Sequence, residues 1–293
     1  MSVLKQGLFI FFYTRLMNEW DNYIGDGNHA TDLFTSFEGY SVGLCYMIVY
    51  YSVFVCSSSQ IEFIKTLLRI EVEIQALKFS RSGYNERLRK KTCCDVFFTL
   101  LVFFIIMVYF RAVIPEQHFY SILISTVLYN AMAFFLIVLM IFIDNLVVTV
   151  GILADELNWN IQNCVTSCPF HFFQQDLKRI LKLHDQLVQS MAVFNRSFGI
   201  IVLGTYVYSF VIITFESYFI FAAFYKSSIF SRTEVILNLI GIMFELIPLI
   251  ISFSKLGFTS ENAQEKVKKL ASNFKSLRLG SWSSCSQQKV RGV

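Results

Sequence analysis

Charged and polar side chains lie inside apolar stretches of this chain, where burying them is costly and therefore informative. Arg111 lies near the end of the apolar stretch 96–114, and Glu216 lies in the stretch 199–221. If both stretches cross a membrane, these two side chains lie at similar depth. They then pair, approach a polar ligand, or extend to the lipid headgroups. The candidate ligand-binding residues, which include two tyrosines with aromatic faces and hydroxyl groups, are Arg111, Tyr129, Asn130, Tyr208, Glu216 and Asn238.

The residue types used in catalysis and metal binding are not grouped for either purpose. The four histidines are scattered at positions 29, 118, 171 and 184, and no Ser/His/Asp set or phosphate-binding loop occurs. Cys164 and Cys168 have a spacing found in metal sites, but no pair of histidines completes a zinc set. The sequence therefore predicts no enzyme, no metal and no cofactor.

The composition is that of a membrane protein. Of 293 residues, 55% are hydrophobic and 17% aromatic, with 32 Phe against 3 Pro and a mean hydropathy of +0.54. A soluble domain of this length needs far more polar surface. We therefore predict an all-α, polytopic helical membrane protein. Its predicted spans are 40–56, 96–114, 119–143, 199–221 and 233–253.

The distribution of Lys and Arg predicts the orientation. Twenty of these residues lie in segments 57–95, 151–198 and 254–293. Three, namely Arg15, Lys226 and Arg232, lie in segments on the opposite side of the membrane in this arrangement of spans. Positive charge concentrates on the cytoplasmic side, so the three basic segments are predicted to face the cytoplasm. The net charge of +4 is then a signature of orientation in lipid, and no nucleic-acid partner is expected.

Most cysteines lie on or near the predicted cytoplasmic side, where thiols stay reduced. Cys93 and Cys94 follow a basic run and are separated from the predicted span 96–114 by Asp95 alone. This placement has two interpretations: attachment of a fatty acyl chain, or ordinary packing.

The cytoplasmic segments carry apolar residues at helical spacing, in 60–79, 174–198 and 263–277. Such stripes either pack within one subunit or mediate assembly with another. The candidate assembly residues are Leu177, Leu181, His184, Leu187, Val188 and Met191. No proline or turn cluster separates the polar half of 183–221 from its apolar half, so one continuous helix is predicted there.

The segment 177–210, "LKRILKLHDQLVQSMAVFNRSFGIIVLGTYVYSF", resembles a late-middle signature of insect gustatory receptors. The matching residues are Leu183, Leu187, Asn195, Phe198 and Gly199. The resemblance implies an inverted topology with a cytoplasmic amino terminus, seven spans and a tetrameric ligand-gated cation channel. It also implies long helices that extend into a shared cytoplasmic helical layer, with the last span lining the pore.

Both ends depart from the family pattern. No apolar stretch follows Phe253, so the final span with its Thr-Tyr and Gln-Phe pairs is missing, and the apolar run before residue 40 is too short to span. We predict a chain truncated at both ends, with three parts. These are a remnant of the first span and outer loop (1–39), a bundle with cytoplasmic segments 57–95 and 144–198 (40–253), and an amphipathic helix with a disordered tail (254–293).

Three functions follow from these features. The first is a gustatory receptor: a multi-pass subunit of a tastant-gated cation channel in the plasma membrane of chemosensory neurons, forming a homo- or heterotetramer. The second is a non-conducting accessory or dominant-negative subunit, or a non-functional truncated copy. The third is a secondary transporter, which is disfavoured because no internal repeat is visible.

Overall fold

The described part of the chain is helical. The computed structural model describes residues 29–77, 90–98, 100–101, 104–105, 119–167, 170–225, 240, 243, 247 and 249–273. We label the helices α1 (His29–Val55), α2 (Ser57–Gln75), α3 (residues 90–98), α4 (Phe119–Ser167), α5 (Phe170–Tyr225) and α6 (residues 249–273). None of the described residues lies in a strand, and the predicted all-α fold class is confirmed.

Helices α4 and α5 are unusually long, with 49 and 56 residues. At about 1.5 Å per residue, each is more than twice as long as the ~30 Å hydrocarbon core of a bilayer. Neither helix contains a proline, and Pro169 falls in the sequence between them. The continuous helix predicted across 183–221 is therefore confirmed, as part of α5.

Two described stretches, Phe134–Asn163 and Asp176–Phe215, are long and apolar enough to cross a membrane. Helices α1 and α2 would add a third crossing if the chain from Gly43 to Gln75 forms a single bent span. The predicted spans 96–114 and 233–253 lie largely outside the described residues.

The chain divides into two compact units. Unit 1 comprises Met1–Val55, Val96–Met140 and Ile200–Phe253, and unit 2 comprises Cys56–Asp95, Ile141–Gly199 and Ser254–Val293. The segments of unit 2 largely coincide with the three basic segments predicted to face the cytoplasm. The predicted spans fall mainly in unit 1.

In unit 1, α1 and α5 pack antiparallel. The rings of Phe37 and Phe215 lie 5.9 Å apart. Farther along α1, Val49 contacts the backbone of α5 at Gly204. Helix α4 joins them through Tyr46 and Phe135, whose ring centroids are 5.8 Å apart in an edge-to-face arrangement.

In unit 2, α2 buries one face against α5. Phe63, Leu67, Ile70 and Ile74 form this face. The ring of Phe63 lies 5.3 Å from that of Phe194 and 6.0 Å from that of Phe198, so an aromatic cluster fixes the contact. Beside it, Gln60 donates a hydrogen bond to the carbonyl of Ser197 at 3.3 Å.

Helices α4 and α6 run parallel in unit 2, at close range. Gly151 of α4 lies beside Ala263 of α6, where an added methyl group would be 3.4 Å from Ala263, an ordinary van der Waals contact. One turn farther along, Lys266 pairs with Asp155 at 2.6 Å. Small residues therefore let the two helices approach, and a polar pair fixes their register.

Candidate functional site

The buried face of α5 in unit 1 combines apolar, aromatic and hydroxyl side chains. It consists of Ile201, Thr205, Tyr208, Ser209, Ile212 and Phe215. These positions recur at helical spacing, so they lie along one stripe of the helix. In a membrane span, a buried stripe with three hydroxyl groups is a candidate for binding a polar group of a ligand.

Ser209 differs from other hydroxyl side chains of this unit. Ser52, Thr205, Thr214 and Ser217 each donate a hydrogen bond to the backbone carbonyl four residues earlier, at 2.6–2.7 Å. The Oγ of Ser209 is buried and has no hydrogen-bond partner among the described residues. Burying a hydroxyl without a partner is unfavourable, so this group is suited to accept or donate a bond to a bound molecule.

Tyr208 precedes Ser209 and is almost completely buried. Of the six candidate ligand-binding residues, it is the one whose side chain the structure describes. Its ring belongs to the same buried stripe as Thr205 and Ile212. A phenol at this place offers an aromatic face together with a hydroxyl group.

The other five candidates are not among the described side chains. Arg111 and Asn238 lie outside the described residues, and so do the side chains of Tyr129, Asn130 and Glu216. Their backbones place Tyr129 and Asn130 in α4, and Glu216 in α5 one turn beyond Ile212. Their role in ligand binding stays a prediction.

Helix α1 supplies a wall of aromatic residues in unit 1. Tyr46 and Tyr50 stack with ring centroids 6.2 Å apart, and Tyr46 also meets Phe135 of α4. Both tyrosines are half-buried. Aromatic rings with a hydroxyl group suit small amphipathic molecules, because they offer an apolar face beside a polar group.

A charge cluster lies in unit 2. The carboxylate of Asp144, with a side chain 3% exposed, accepts a hydrogen bond from Lys91 at 3.1 Å and lies 3.8 Å from Nζ of Lys255. Lys255 also pairs with Asp95 at 2.6 Å. The cluster joins α3, α4 and α6, because each contributes at least one charged group.

The six candidate assembly residues occupy three different environments. Leu187 is fully buried in unit 2, beside Ile180 and Leu183. Leu181 and Val188 are 44% and 43% exposed on another side of α5. Leu177, Met191 and His184 are partly buried, and His184 lies 3.3 Å from the carboxylate of Asp185.

Sequence reasoning missed Ser209 and the charge cluster. Serine is common in apolar helices, and its type gives no indication of whether its hydroxyl bonds to the preceding turn. Adjacency to Tyr208 is the one available signal. Asp144 and its partners lie 53 or more residues apart in the chain, so their pairing depends on the fold.

Comparison with known proteins identifies the family of the chain. No curated protein matches the chain. A family model described as "7tm Chemosensory receptor" matches residues 5–291, nearly the whole sequence. The predicted family is thereby confirmed, while the predicted truncation stays a prediction. The chain belongs to the 7tm chemosensory receptor family, and is a multi-pass membrane receptor.

Proposed function

We propose that this receptor is a subunit of a ligand-gated cation channel that detects small taste compounds. In this proposal it works in the plasma membrane of chemosensory neurons. The ligand binds in unit 1 along the buried stripe of α5. The family supports a chemosensory role, and the resemblance to gustatory receptors supports gating by tastants.

The observation that carries the binding site is the free hydroxyl of Ser209 next to the buried Tyr208. A ligand with one polar group and an apolar body would satisfy the hydroxyl and cover the aromatic surface around it. Pockets for small molecules commonly combine an apolar lining with a few placed polar groups. We therefore expect a neutral, amphipathic ligand for this site.

Ser209→Ala tests the site. We expect agonist sensitivity to fall about tenfold, since one lost hydrogen bond in a desolvated site is worth about 1–1.5 kcal/mol. The readout is the concentration for half-maximal calcium entry in cells expressing the full chain. Ser217→Ala is the matched control, because Ser217 is exposed and its hydroxyl bonds to the carbonyl of Ile213.

If the Ser209→Ala variant reaches the cell surface normally and its response is unchanged, the ligand does not bind along the buried stripe of α5. Equal losses in both serine variants would indicate a general effect on the helix. If agonist evokes current only when a second receptor subunit is present, this chain is an accessory subunit, and the second function replaces the first.

Assembly is proposed to use the exposed apolar side of the unit 2 helices. Leu181 and Val188 lie two turns apart on α5, and α2 exposes a second apolar row, which consists of Ile61, Leu68 and Val72. Outside the bilayer, apolar side chains in these numbers are stabilised by burial against another protein surface. A tetramer of this chain, or of this chain with related subunits, would bury them.

A further inference from the structure

The rotation of α3 about its axis is fixed by two ion pairs. Lys91 bonds to Asp144 of α4, and Asp95 accepts a hydrogen bond from Lys255 of α6. Lys91 and Asp95 are four residues apart and therefore lie on the same face of the helix. This face is turned toward the rest of unit 2.

Cys93 and Cys94 lie outside this face, and both thiols are free and exposed. Ordinary packing, one of the two interpretations available from sequence, is therefore not their role within this chain. A cysteine is among the most buried residue types in proteins, so two adjacent exposed cysteines call for another explanation.

The surroundings of the two cysteines in the sequence are those of a membrane boundary. Arg87, Arg89 and Lys90 precede them, and the predicted span 96–114 follows them. The next side chains after Val96 are Phe97 and Phe98, which are 68% and 52% exposed. Exposed aromatic rings on a predicted span are suited to contact lipid.

We propose that Cys93 and Cys94 are sites of S-acylation by a long-chain fatty acid. Juxtamembrane cysteines beside basic residues are typical acceptors of this modification. The donor is a long-chain acyl-coenzyme A. The cysteine sulfur attacks the thioester carbonyl, a new carbon–sulfur bond forms, and the bond to coenzyme A breaks. Coenzyme A leaves as the thiol and takes the proton of the cysteine, so no oxidant or reductant is needed.

The other cysteines whose side chains the structure describes make poor acceptors. Cys45 is buried within α1, where a transferase cannot reach it. Cys56 is partly buried in the turn between α1 and α2. Acyl chains at positions 93 and 94 would insert into the cytoplasmic leaflet and attach the start of α3 to it. The proposal rests on the cytoplasmic placement of unit 2 and is independent of the ligand.

The test is an acyl-exchange assay on the full chain expressed in cultured cells. Free thiols are blocked with N-ethylmaleimide, thioesters are cleaved with neutral hydroxylamine, and the released thiols are tagged with maleimide-polyethylene glycol. We expect two tags on the wild-type chain and none without hydroxylamine. Cys93→Ser and Cys94→Ser should each lose one tag, and Cys56→Ser should keep both.

A wild-type chain that receives no hydroxylamine-dependent tag, while a known acylated protein in the same lysate does, overturns the proposal. Tags that persist in the Cys93→Ser, Cys94→Ser double variant overturn the assignment to these residues. If that variant fails to fold, mass spectrometry of the wild-type peptide containing residues 93–94 decides: a fatty acyl mass supports the proposal, and an unmodified peptide contradicts it.

Discussion

Lys91 donates a hydrogen bond through Nζ to Oδ2 of Asp144 at 3.1 Å, and the acceptor carboxylate is almost completely withdrawn from solvent. Lys255 approaches the same oxygen from α6 at 3.8 Å. A buried carboxylate is tolerated when cations and hydrogen bonds compensate the loss of its hydration. Lys91 and Lys255 are therefore expected to stabilise the same buried carboxylate, that of Asp144, jointly.

The double variant Lys91→Ala, Lys255→Ala should destabilise the receptor by roughly 2–3 kcal/mol, because it leaves Asp144 buried without a compensating charge. The measurement is thermal unfolding in detergent. Adding Asp144→Asn should recover part of the loss, since the neutral amide needs no counter-charge. Lys65→Ala, at an exposed position of α2, is the control. Equal melting temperatures for the double and triple variants would contradict this account.

Gly204→Ala should weaken the contact between α1 and α5. A methyl group at this position would lie 2.9 Å from Cγ2 of Val49, well inside the favourable distance for two carbons. We expect a loss of about 1–3 kcal/mol in thermal unfolding. Gly199→Ala on the same helix meets nothing within 4 Å and should be neutral or stabilising, because alanine favours helix. Equal effects of the two substitutions would show that the contact does not limit packing.

Phe63→Ala should remove the centre of the aromatic cluster in unit 2. The ring is buried and meets both Phe194 and Phe198, so its loss leaves a cavity. The expected cost is about 3–5 kcal/mol, measured as a lower melting temperature. Ile61→Ala on the exposed side of the same helix is the control and should cost little. A smaller effect at Phe63 than at Ile61 would contradict the observed orientation of α2.

Leu181→Glu with Val188→Glu should prevent assembly. The two side chains are exposed on α5, and charges introduced there would oppose burial against another subunit. The measurement is the subunit number by native mass spectrometry in detergent, with loss of the proposed tetramer expected. Lys182→Glu makes a similar change of charge at a neighbouring exposed residue and should leave the tetramer intact. Tetramers that survive the double substitution would place the interface elsewhere.

The sequence predicted the continuous helix across 183–221 because hydrophobic length and missing prolines act locally. The helical stripe 174–198 was predicted as one surface, but in the structure some of its residues are buried and others are exposed. Leu187 packs inside unit 2, whereas Leu181 and Val188 are exposed. Apolar residues surround so much of this helix that periodicity alone does not say which side faces the protein.

In helix α2, too, the spacing of apolar residues does not identify the buried face. The stripe predicted in 60–79 consists of Ile61, Ile64, Leu67, Leu68, Val72 and Leu77. Leu67 and Leu77 are buried, as are Phe63 and Ile70, which the prediction left out, whereas Ile61, Leu68 and Val72 are exposed. Apolar residues lie on both sides of this helix. The predicted stripe and the observed buried face therefore differ only by a rotation of part of a turn about the helix axis. At the ligand site, Tyr208 was predicted from its type, and Ser209 was missed because its significance depends on a hydrogen bond that it does not make.

The tight approach of Val49 to Gly204 also bears on how this family diverges. The side chain of Val49 from α1 already occupies the space that a side chain at position 204 of α5 would take. A larger residue at position 204 is then accepted only with a smaller one at position 49, so the two positions should mutate in compensating steps. Among relatives, the summed side-chain volume at this pair should vary less than the volume at either position.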